Sequence, residues 1–189
     1  MVYNILMNIF TIFVAILNLL SNPPDTKTVD NFNITKYTGT WDQVYDNNYN
    51  KLFINNASCI HHHYQSDFDT LVHISYINLK DNVFQKDSGI LKLNNETTSG
   101  KLKISLDNKL FDDDYYITKL GPEINDKYQY AIVTDYLQLS LQVLARDKNT
   151  FFEKYDEEVL SFLNNTCNND EVIEYLTKPT KVDNTNCYN

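Results

Sequence analysis

The alternation of apolar and polar residues along most of the chain restricts its fold more than any other feature. From Trp41 onward the side-chain character changes with period two, the pattern of β-strands with one buried face. Turn-forming groups such as Asn47-Asn48 and Gly121-Pro122-Glu123 interrupt it. Eight short strands at regular spacing predict a sandwich or a barrel. They are expected near Trp41–Tyr49, Cys59–Gln65, Thr70–Leu79, Phe84–Leu93, Lys101–Leu106, Tyr115–Leu120, Tyr128–Thr134 and Leu137–Arg146.

The period changes after the eighth predicted strand. Between Phe151 and Leu163 the apolar residues fall on one helical stripe with acidic residues opposite, which predicts an amphipathic helix on the outside of the sheet. The stripe consists of Phe152, Tyr155, Val159, Phe162 and Leu163. A last apolar segment, Val172–Leu176, precedes an Asn-rich tail.

The charge balance restricts the partners of the chain. The 25 acidic residues outnumber the 16 Lys and Arg residues, and the formal net charge is −9. Nucleic acids and anionic membranes require clustered cations, so the composition argues against both as partners.

The N-terminus has the pattern of an export signal. Residues Ile5 to Leu20 are almost all apolar, and no charged residue precedes Asp25. This stretch is shorter than the roughly 20 apolar residues of a spanning helix, and Pro23-Pro24 prevents the helix from continuing far. We predict a signal peptide over residues 1–21, with an uncleaved membrane anchor as the alternative.

Glycosylation motifs and cysteines agree with export to a secretory lumen. Asn-x-Ser/Thr motifs begin at Asn33, Asn56, Asn95 and Asn164, so these four residues are candidate glycosylation sites. The 3 Cys residues allow one disulfide and one remaining thiol, and none is in a Cys-x-x-Cys motif. We expect a secreted protein.

Three motifs in register with the predicted strands resemble the lipocalin family. The first is Lys36-Tyr37-x-Gly39-Thr40-Trp41, the second is Thr134-Asp135-Tyr136, and the third is Leu144-Ala145-Arg146. The resemblance covers roughly residues 30–187, which we expect to form one lipocalin domain. It implies an all-β fold, an eight-stranded antiparallel up-and-down β-barrel with one C-terminal α-helix packed outside.

The resemblance also implies roles for the motif residues and the cysteines. Trp41 is expected to close the bottom of the barrel with Arg146 stacked on it, while Gly39 allows the tight entry into the first strand. Lipocalins similar to apolipoprotein D tie the C-terminal tail to the barrel, which implies a Cys59–Cys187 disulfide and a free Cys167. Pairing of Cys167 with Cys187 is the alternative.

Alternation predicts which side chains line the barrel interior. If Trp41 points inward, so do Gln43 and Tyr45; if Arg146 reaches Trp41, Leu144 and Gln142 share its face. Tyr64 matches a cavity-facing Tyr of apolipoprotein D-like members. His62 lies two residues away in the same predicted strand and is therefore expected on the same face. The predicted ligand-binding residues are therefore Trp41, Gln43, Tyr45, His62, Tyr64, Gln142 and Leu144.

Neither a metal site nor an active site is expected. In a strand, His61 and His63 lie on one face and His62 on the other, so the run cannot supply three ligands to one metal ion. No Gly-x-Ser-x-Gly motif or Cys–His nucleophile pattern occurs in the sequence. We expect no cofactor and no enzymatic activity.

The resemblance implies a secreted carrier or scavenger of a small hydrophobic ligand. The ligand classes that it implies are lipid, fatty acid, sterol, retinoid and tetrapyrrole. The alternative is a structural or interaction protein whose barrel is filled by its own side chains.

Overall fold

A computed structural model describes residues 9–52, 57–67, 71–80, 83–92, 99–165, 170–185 and 187. Its strands are β1 (Gly39–Asn47), β2 (Ser58–Asp67), β3 (Leu71–Lys80), β4 (Val83–Lys92), β5 (Lys101–Leu106), β6 (Asp113–Leu120), β7 (Glu123–Ile124), β8 (Lys127–Tyr128), β9 (Tyr130–Thr134), β10 (Gln142–Ala145) and β11 (Pro179–Lys181). Its helices are α1 (Ile9–Ser21), α2 (Ile34–Tyr37), α3 (Asn48–Lys51), α4 (Lys148–Lys154), α5 (Asp156–Asn164) and α6 (Glu171–Thr177).

The eight main strands form the predicted barrel. Antiparallel pairing runs from β1 through β2, β3, β4, β5, β6 and β9 to β10, and β10 pairs with β1 to close the sheet. The small β7–β8 hairpin lies between β6 and β9, and β11 adds to β1 beside the barrel. The fold class predicted from the sequence is confirmed.

A hydrogen-bonded loop makes the eighth strand shorter than predicted. The expected strand Leu137–Arg146 is reduced to β10, because Asp135 holds the preceding residues in a turn. Its carboxylate accepts hydrogen bonds from the backbone amides of Leu137 at 2.7 Å and Ser140 at 2.6 Å. Those amides are then directed at the carboxylate rather than at a neighbouring strand.

The C-terminal helical region lies outside the barrel, as predicted, but consists of more than one helix. The predicted helix is divided at Tyr155 into α4 and α5, and the apolar segment Val172–Leu176 lies in α6. Phe151 and Val159 are buried against the outward side chains of Leu141 and Val143. The amphipathic stripe therefore covers the outer face of β10.

Helix α1 packs near the loop that connects β9 to β10. Its Ala15 and Leu19 are buried in a cluster with Leu139, Ile173 and Leu176. Among the described residues, no helix has both the length and the apolar character needed to cross a membrane.

A disulfide joins the second strand to the C-terminal tail. Cys59 is bonded to Cys187, 128 positions away, so the pairing implied by the resemblance is confirmed. The amide of Cys59 also donates to the carbonyl oxygen of Asp183 at 2.9 Å, and the amide of Val182 donates to Val44 at 3.0 Å. Cys167 lies outside the described residues.

Two of the four candidate glycosylation sites are described. Asn33 and Asn164 are both exposed, and the Asn33 side-chain oxygen caps α2 by accepting from the amide of Thr35. Asn56 and Asn95 lie outside the described residues.

Replacing Cys187 with Ala should lower the stability of the barrel by roughly 2–5 kcal/mol, because the crosslink closes a very long loop in the unfolded chain. Urea unfolding of the oxidised wild type and of Cys187→Ala measures the difference. Cys167→Ala is the matched control and should leave the unfolding midpoint unchanged. A large loss of stability in Cys167→Ala, with none in Cys187→Ala, would contradict the assigned pairing.

Candidate ligand-binding site

Trp41 and Arg146 close the end of the barrel at which β1 begins. Trp41 is fully buried, and the Arg146 guanidinium carbon lies 3.7 Å from its ring centroid. The Trp41 indole N–H donates to the carbonyl oxygen of Tyr37 at 2.8 Å. Such a partly desolvated cation–π contact stabilises by about 0.5–2 kcal/mol. The floor of the site is therefore an indole backed by a cation.

The Arg146 guanidinium also joins segments that are distant in sequence. Its N–H groups donate to the carbonyl oxygens of Lys36, Tyr37 and Thr40 at 3.0 Å each, and to that of Tyr128 at 3.2 Å. Burial lowers the pKa of Arg146 to about 10, so it remains charged at neutral pH. It holds α2, β1 and β8 together.

Gly39 makes this arrangement sterically possible. Its φ of +108° is a conformation that L side chains rarely adopt, and an added Cβ would lie 2.9 Å from Nη1 of Arg146. Position 39 therefore requires glycine both for its backbone angle and for the space that Arg146 occupies.

The described interior wall above this floor is mainly apolar. Every strand of the closed barrel contributes to one buried cluster or to the polar groups beside it. The buried apolar members from β3 to β10 are Val72, Ile74, Leu91, Leu102, Ile104, Ile117, Ala131, Val133 and Leu144. Such a wall suits the apolar body of a small molecule.

Five buried side chains add a polar strip to this wall, which we define as Tyr37, Gln43, His62, Tyr64 and Tyr115. The Tyr115 hydroxyl oxygen lies 2.6 Å from that of Tyr37 and 2.8 Å from that of Tyr64. Nε2 of His62 lies 2.9 Å from Oε1 of Gln43, and the His62 ring stacks on Tyr64 with centroids 6.1 Å apart. The strip is therefore continuous.

Burial keeps the titratable members of the polar strip neutral. It lowers the pKa of His62 to about 3, with the neighbouring His61 adding to the effect. It raises the pKa of Tyr37, Tyr64 and Tyr115 above the ordinary value. At neutral pH the strip offers an imidazole, an amide and three hydroxyl groups without formal charge.

Most of the predicted ligand-binding residues lie where alternation placed them. Trp41, Tyr64 and Leu144 belong to the interior cluster, and Gln43 and His62 are buried beside it. Gln142 lies two residues from Leu144 in β10 and is half-buried.

Tyr45 is the exception. The register between β1 and β10 shifts after Gln43, so that Gln43 pairs with Leu144 but Tyr45 with Val143. This bulge inserts one extra residue and turns Tyr45 to the outer face. There the Tyr45 hydroxyl donates to Asp156 at 2.7 Å, and its ring packs on Phe151. The prediction that Tyr45 faces the interior is therefore wrong.

Tyr37 and Tyr115 were not predicted as site residues. Tyr37 precedes the first strand, so alternation says nothing about it. Tyr115 begins the predicted sixth strand, and its alternation with Ile117 was the available signal in the sequence. Both residues are buried on one face of β6.

The Thr134-Asp135-Tyr136 motif organises the loop at the opposite end of the barrel. The Thr134 hydroxyl donates to the carbonyl oxygen of Ser140 at 2.6 Å. The Asp135 carboxylate accepts hydrogen bonds from the backbone amides of Leu137 and Ser140. Tyr136 is exposed, and its carbonyl oxygen accepts from the hydroxyl of Thr26 at 2.7 Å. This motif has a structural role.

His61 and His63 occupy the outer face of β2, opposite His62. Nδ1 of His61 lies 2.6 Å from Oδ1 of Asp42, and Nδ1 of His63 lies 3.2 Å from the Thr40 hydroxyl. Within the described ranges, no group of three or more His, Cys, Asp or Glu side chains is arranged to hold a metal ion.

The fold of this chain is similar to that of several solved lipocalin structures. Insecticyanin from the tobacco hornworm Manduca sexta matches with a TM-score of 0.62 at 16% identity, covering 86% of each chain. The cockroach allergen Per a 4 matches with a TM-score of 0.54 at 15% identity, covering 84% of this chain and 94% of the allergen. Japanin from Rhipicephalus appendiculatus, solved with bound cholesterol, matches with a TM-score of 0.51 at 17% identity, covering 83% and 97%. The chain therefore has the lipocalin fold.

No protein-family model matches the sequence, and no curated protein matches it in sequence.

Replacing Arg146 with Lys should destabilise the protein by about 2 kcal/mol, because an ammonium group cannot make the planar stack on Trp41 or the same set of carbonyl bonds. Urea unfolding measures this loss. Lys101, which is exposed and lies 5.8 Å from the centroid of the half-buried Tyr116 ring, provides the control. Lys101→Gln should cost less than about 0.5 kcal/mol, and an equal cost for both variants would contradict the assigned role of Arg146.

Stability should fall as the pH decreases through the range in which His62 is protonated only in the unfolded chain. The folded pKa of about 3 is below the ordinary value of 6.5, so this stability is present above pH 6.5 and is lost as the pH falls toward 3. Between pH 6.5 and 5 the slope should be about 1 kcal/mol per pH unit.

Urea unfolding at several pH values tests this slope in the His62→Gln variant. That variant should flatten the slope, whereas the exposed-site variant His63→Gln should retain it. An unchanged slope in His62→Gln would show that other groups cause the pH dependence.

Proposed function

We propose that this chain is a secreted carrier or scavenger that binds one small hydrophobic molecule inside its barrel. The observation that carries the proposal is the closed eight-stranded wall, whose described inward face is apolar except for the polar strip. An eight-stranded barrel has room for one small ligand. Lipids, fatty acids, sterols, retinoids and tetrapyrroles are the candidate classes. The cholesterol in the similar japanin structure supports a ligand of this type.

The chemistry of the described interior supports binding rather than catalysis. Its polar members are an amide, a neutral imidazole and hydroxyl groups with raised pKa values, and none of these is an activated nucleophile at neutral pH. The proposal therefore assigns the chain no enzymatic activity.

The proposal includes export of the protein. Residues 1–21 serve as the signal peptide in this scheme, and residues 30–187 form the secreted lipocalin domain. The Cys59–Cys187 disulfide supports an oxidising compartment, and exposed Asn33 and Asn164 are available for glycans. Retention of the N-terminal segment would instead leave the domain attached to a membrane.

One observation favours a filled barrel without a transported ligand as the second candidate function. Four large aromatic side chains, Tyr37, Trp41, Tyr64 and Tyr115, pack together at the closed end. If such packing continued to the other end, the protein would serve as a structural or interaction module. Ligand binding distinguishes the two candidates.

The carrier proposal predicts that a small hydrophobic molecule remains bound to the secreted protein. Native mass spectrometry of protein purified from the culture medium, followed by solvent extraction, should reveal one ligand per chain. The single Trp, Trp41, lies at the floor of the interior, so its fluorescence should change when cholesterol, retinol or a fatty acid is titrated into delipidated protein.

Two variants test whether this binding is internal. Gln142→Phe adds a ring beside Leu144 and should weaken cholesterol binding by about tenfold. Tyr45→Phe changes the outer face and should leave the affinity unchanged. Absence of binding by every candidate class would contradict the carrier proposal and favour the filled barrel.

A further inference from the structure

The polar strip is placed to meet one end of a ligand. Tyr64 pairs with Gly39 at the beginning of β1, and Tyr37 lies two residues before that strand, at the end of α2. The strip therefore occupies the closed half of the barrel, next to the Trp41 floor. A ligand that enters from the opposite end would bring its leading group to these side chains.

The strip can both donate and accept hydrogen bonds. The three tyrosine hydroxyls carry three hydrogens and six lone pairs, and the two O···O contacts among them use two of each. With the described residues as partners, most of the lone pairs remain for a hydrogen donated by a ligand. The amide of Gln43 adds N–H donors, because only its Oε1 faces His62.

No cation accompanies the strip in the part of the chain whose side chains are described. Lys and Arg do not occur among the buried side chains of that part. Arg146 is half-buried behind the Trp41 ring, and its N–H groups are directed at backbone carbonyls. An anionic ligand group at the strip would therefore lack a counter-ion.

One carboxylate is buried in the described residues, and it lies beyond the strip. Asp46 pairs with Thr180 of β11, at a point where β1 has left its pairing with both barrel neighbours. Its Oδ1 accepts from the amide of Asn47 at 2.7 Å. Asp46 is therefore not placed to pair with a cation held at the strip.

The free-energy cost of desolvation therefore differs between charged and neutral ligand head groups. Moving a carboxylate or an ammonium group into an uncharged interior costs several kcal/mol even after relaxation, whereas a hydroxyl group recovers its lost water bonds from neutral partners. The head group that suits the strip is neutral and can both donate and accept hydrogen bonds.

We infer that, given the proposed carrier function, the ligand is an apolar molecule with one neutral hydroxyl group, bound with this group at the polar strip and its apolar body toward the opposite end of the barrel. This ligand class is an apolar alcohol, in contrast to a free carboxylic acid or an amine. The strip determines which head group is accepted, and the apolar wall provides most of the affinity.

Three ligands of one chain length test the inference at neutral pH. Dodecanol, dodecanoate and dodecylamine are titrated separately into delipidated protein, with Trp41 fluorescence and isothermal calorimetry as readouts. Dodecanol should bind at least about tenfold more tightly than either charged analogue. Equal or tighter binding of the acid or the amine overturns the neutral-ligand inference while leaving the carrier function intact. Absence of binding by all three, and by cholesterol and retinol, overturns both.

Variants at Gln43 test whether the strip causes the preference. Gln43→Leu removes amide donors from the strip and should weaken dodecanol binding by about tenfold, with less effect on dodecanoate. Gln43→Lys introduces a cation and should shift the ratio of affinities toward dodecanoate by at least tenfold. Tyr45→Phe, on the outer face of the same strand, should leave the ratio unchanged.

Folding of each variant is checked by near-ultraviolet circular dichroism before titration. If Gln43→Lys does not fold, Gln43→Leu alone decides whether the strip causes the preference for dodecanol. An unchanged alcohol-to-acid ratio in folded Gln43→Leu contradicts the role of the strip.

Discussion

The contact of Arg146 with Trp41 is the interaction on which the closed end of the barrel depends. It places a cation against the buried indole, and the same guanidinium satisfies carbonyl oxygens of α2, β1 and β8. Replacement of Arg146 by a smaller residue would leave several of these carbonyls without their donor and open the floor beneath the interior. Gly39 is required by the same contact, since an added Cβ would lie only 2.9 Å from Nη1 of Arg146. Gly39 and Arg146 are far apart in sequence, but both are required by the same contact at the closed end of the barrel.

The sequence predicted the barrel well because the alternation of apolar and polar residues follows the burial of their side chains. Residues whose backbones remain in regular strands, such as His62, Tyr64 and Leu144, lie on the faces that alternation assigned. Alternation fails where the backbone departs from regularity. Val44 is inserted as a bulge, which no local pattern signals, and it moves Tyr45 to the other face. Tyr37 was missed for a related reason, because it lies before the first strand and reaches the interior from α2.

The bulge in β1 links the barrel wall to the outer helical layer. Since Tyr45 faces outward, its hydroxyl reaches Asp156 at the start of α5, and Lys181 of β11 approaches the same carboxylate at 3.6 Å. The Lys181 ammonium also lies 4.3 Å from the Phe152 ring centroid. The tail, the helices and β1 thus converge at one irregular point of the strand. Prediction of these contacts from sequence requires the register as well as the face of each residue.

The described interior wall carries no formal charge, although the protein is acidic, and this determines how the proposed carrier would gain affinity and selectivity. The protein has a net charge of −9, and only Asp46 is buried among the acidic residues whose side chains are described, so approaching anions meet repulsion before they reach the barrel. Inside, the polar strip has no charge with which to increase affinity. Binding strength must then come from apolar area, at about 25 cal/mol per Å². A ligand that buries about 300 Å² gains roughly 7–8 kcal/mol before the cost of immobilisation, which corresponds to micromolar dissociation at best. In the proposed carrier, the length of the ligand would therefore set the affinity, while its head group would set which molecules are admitted.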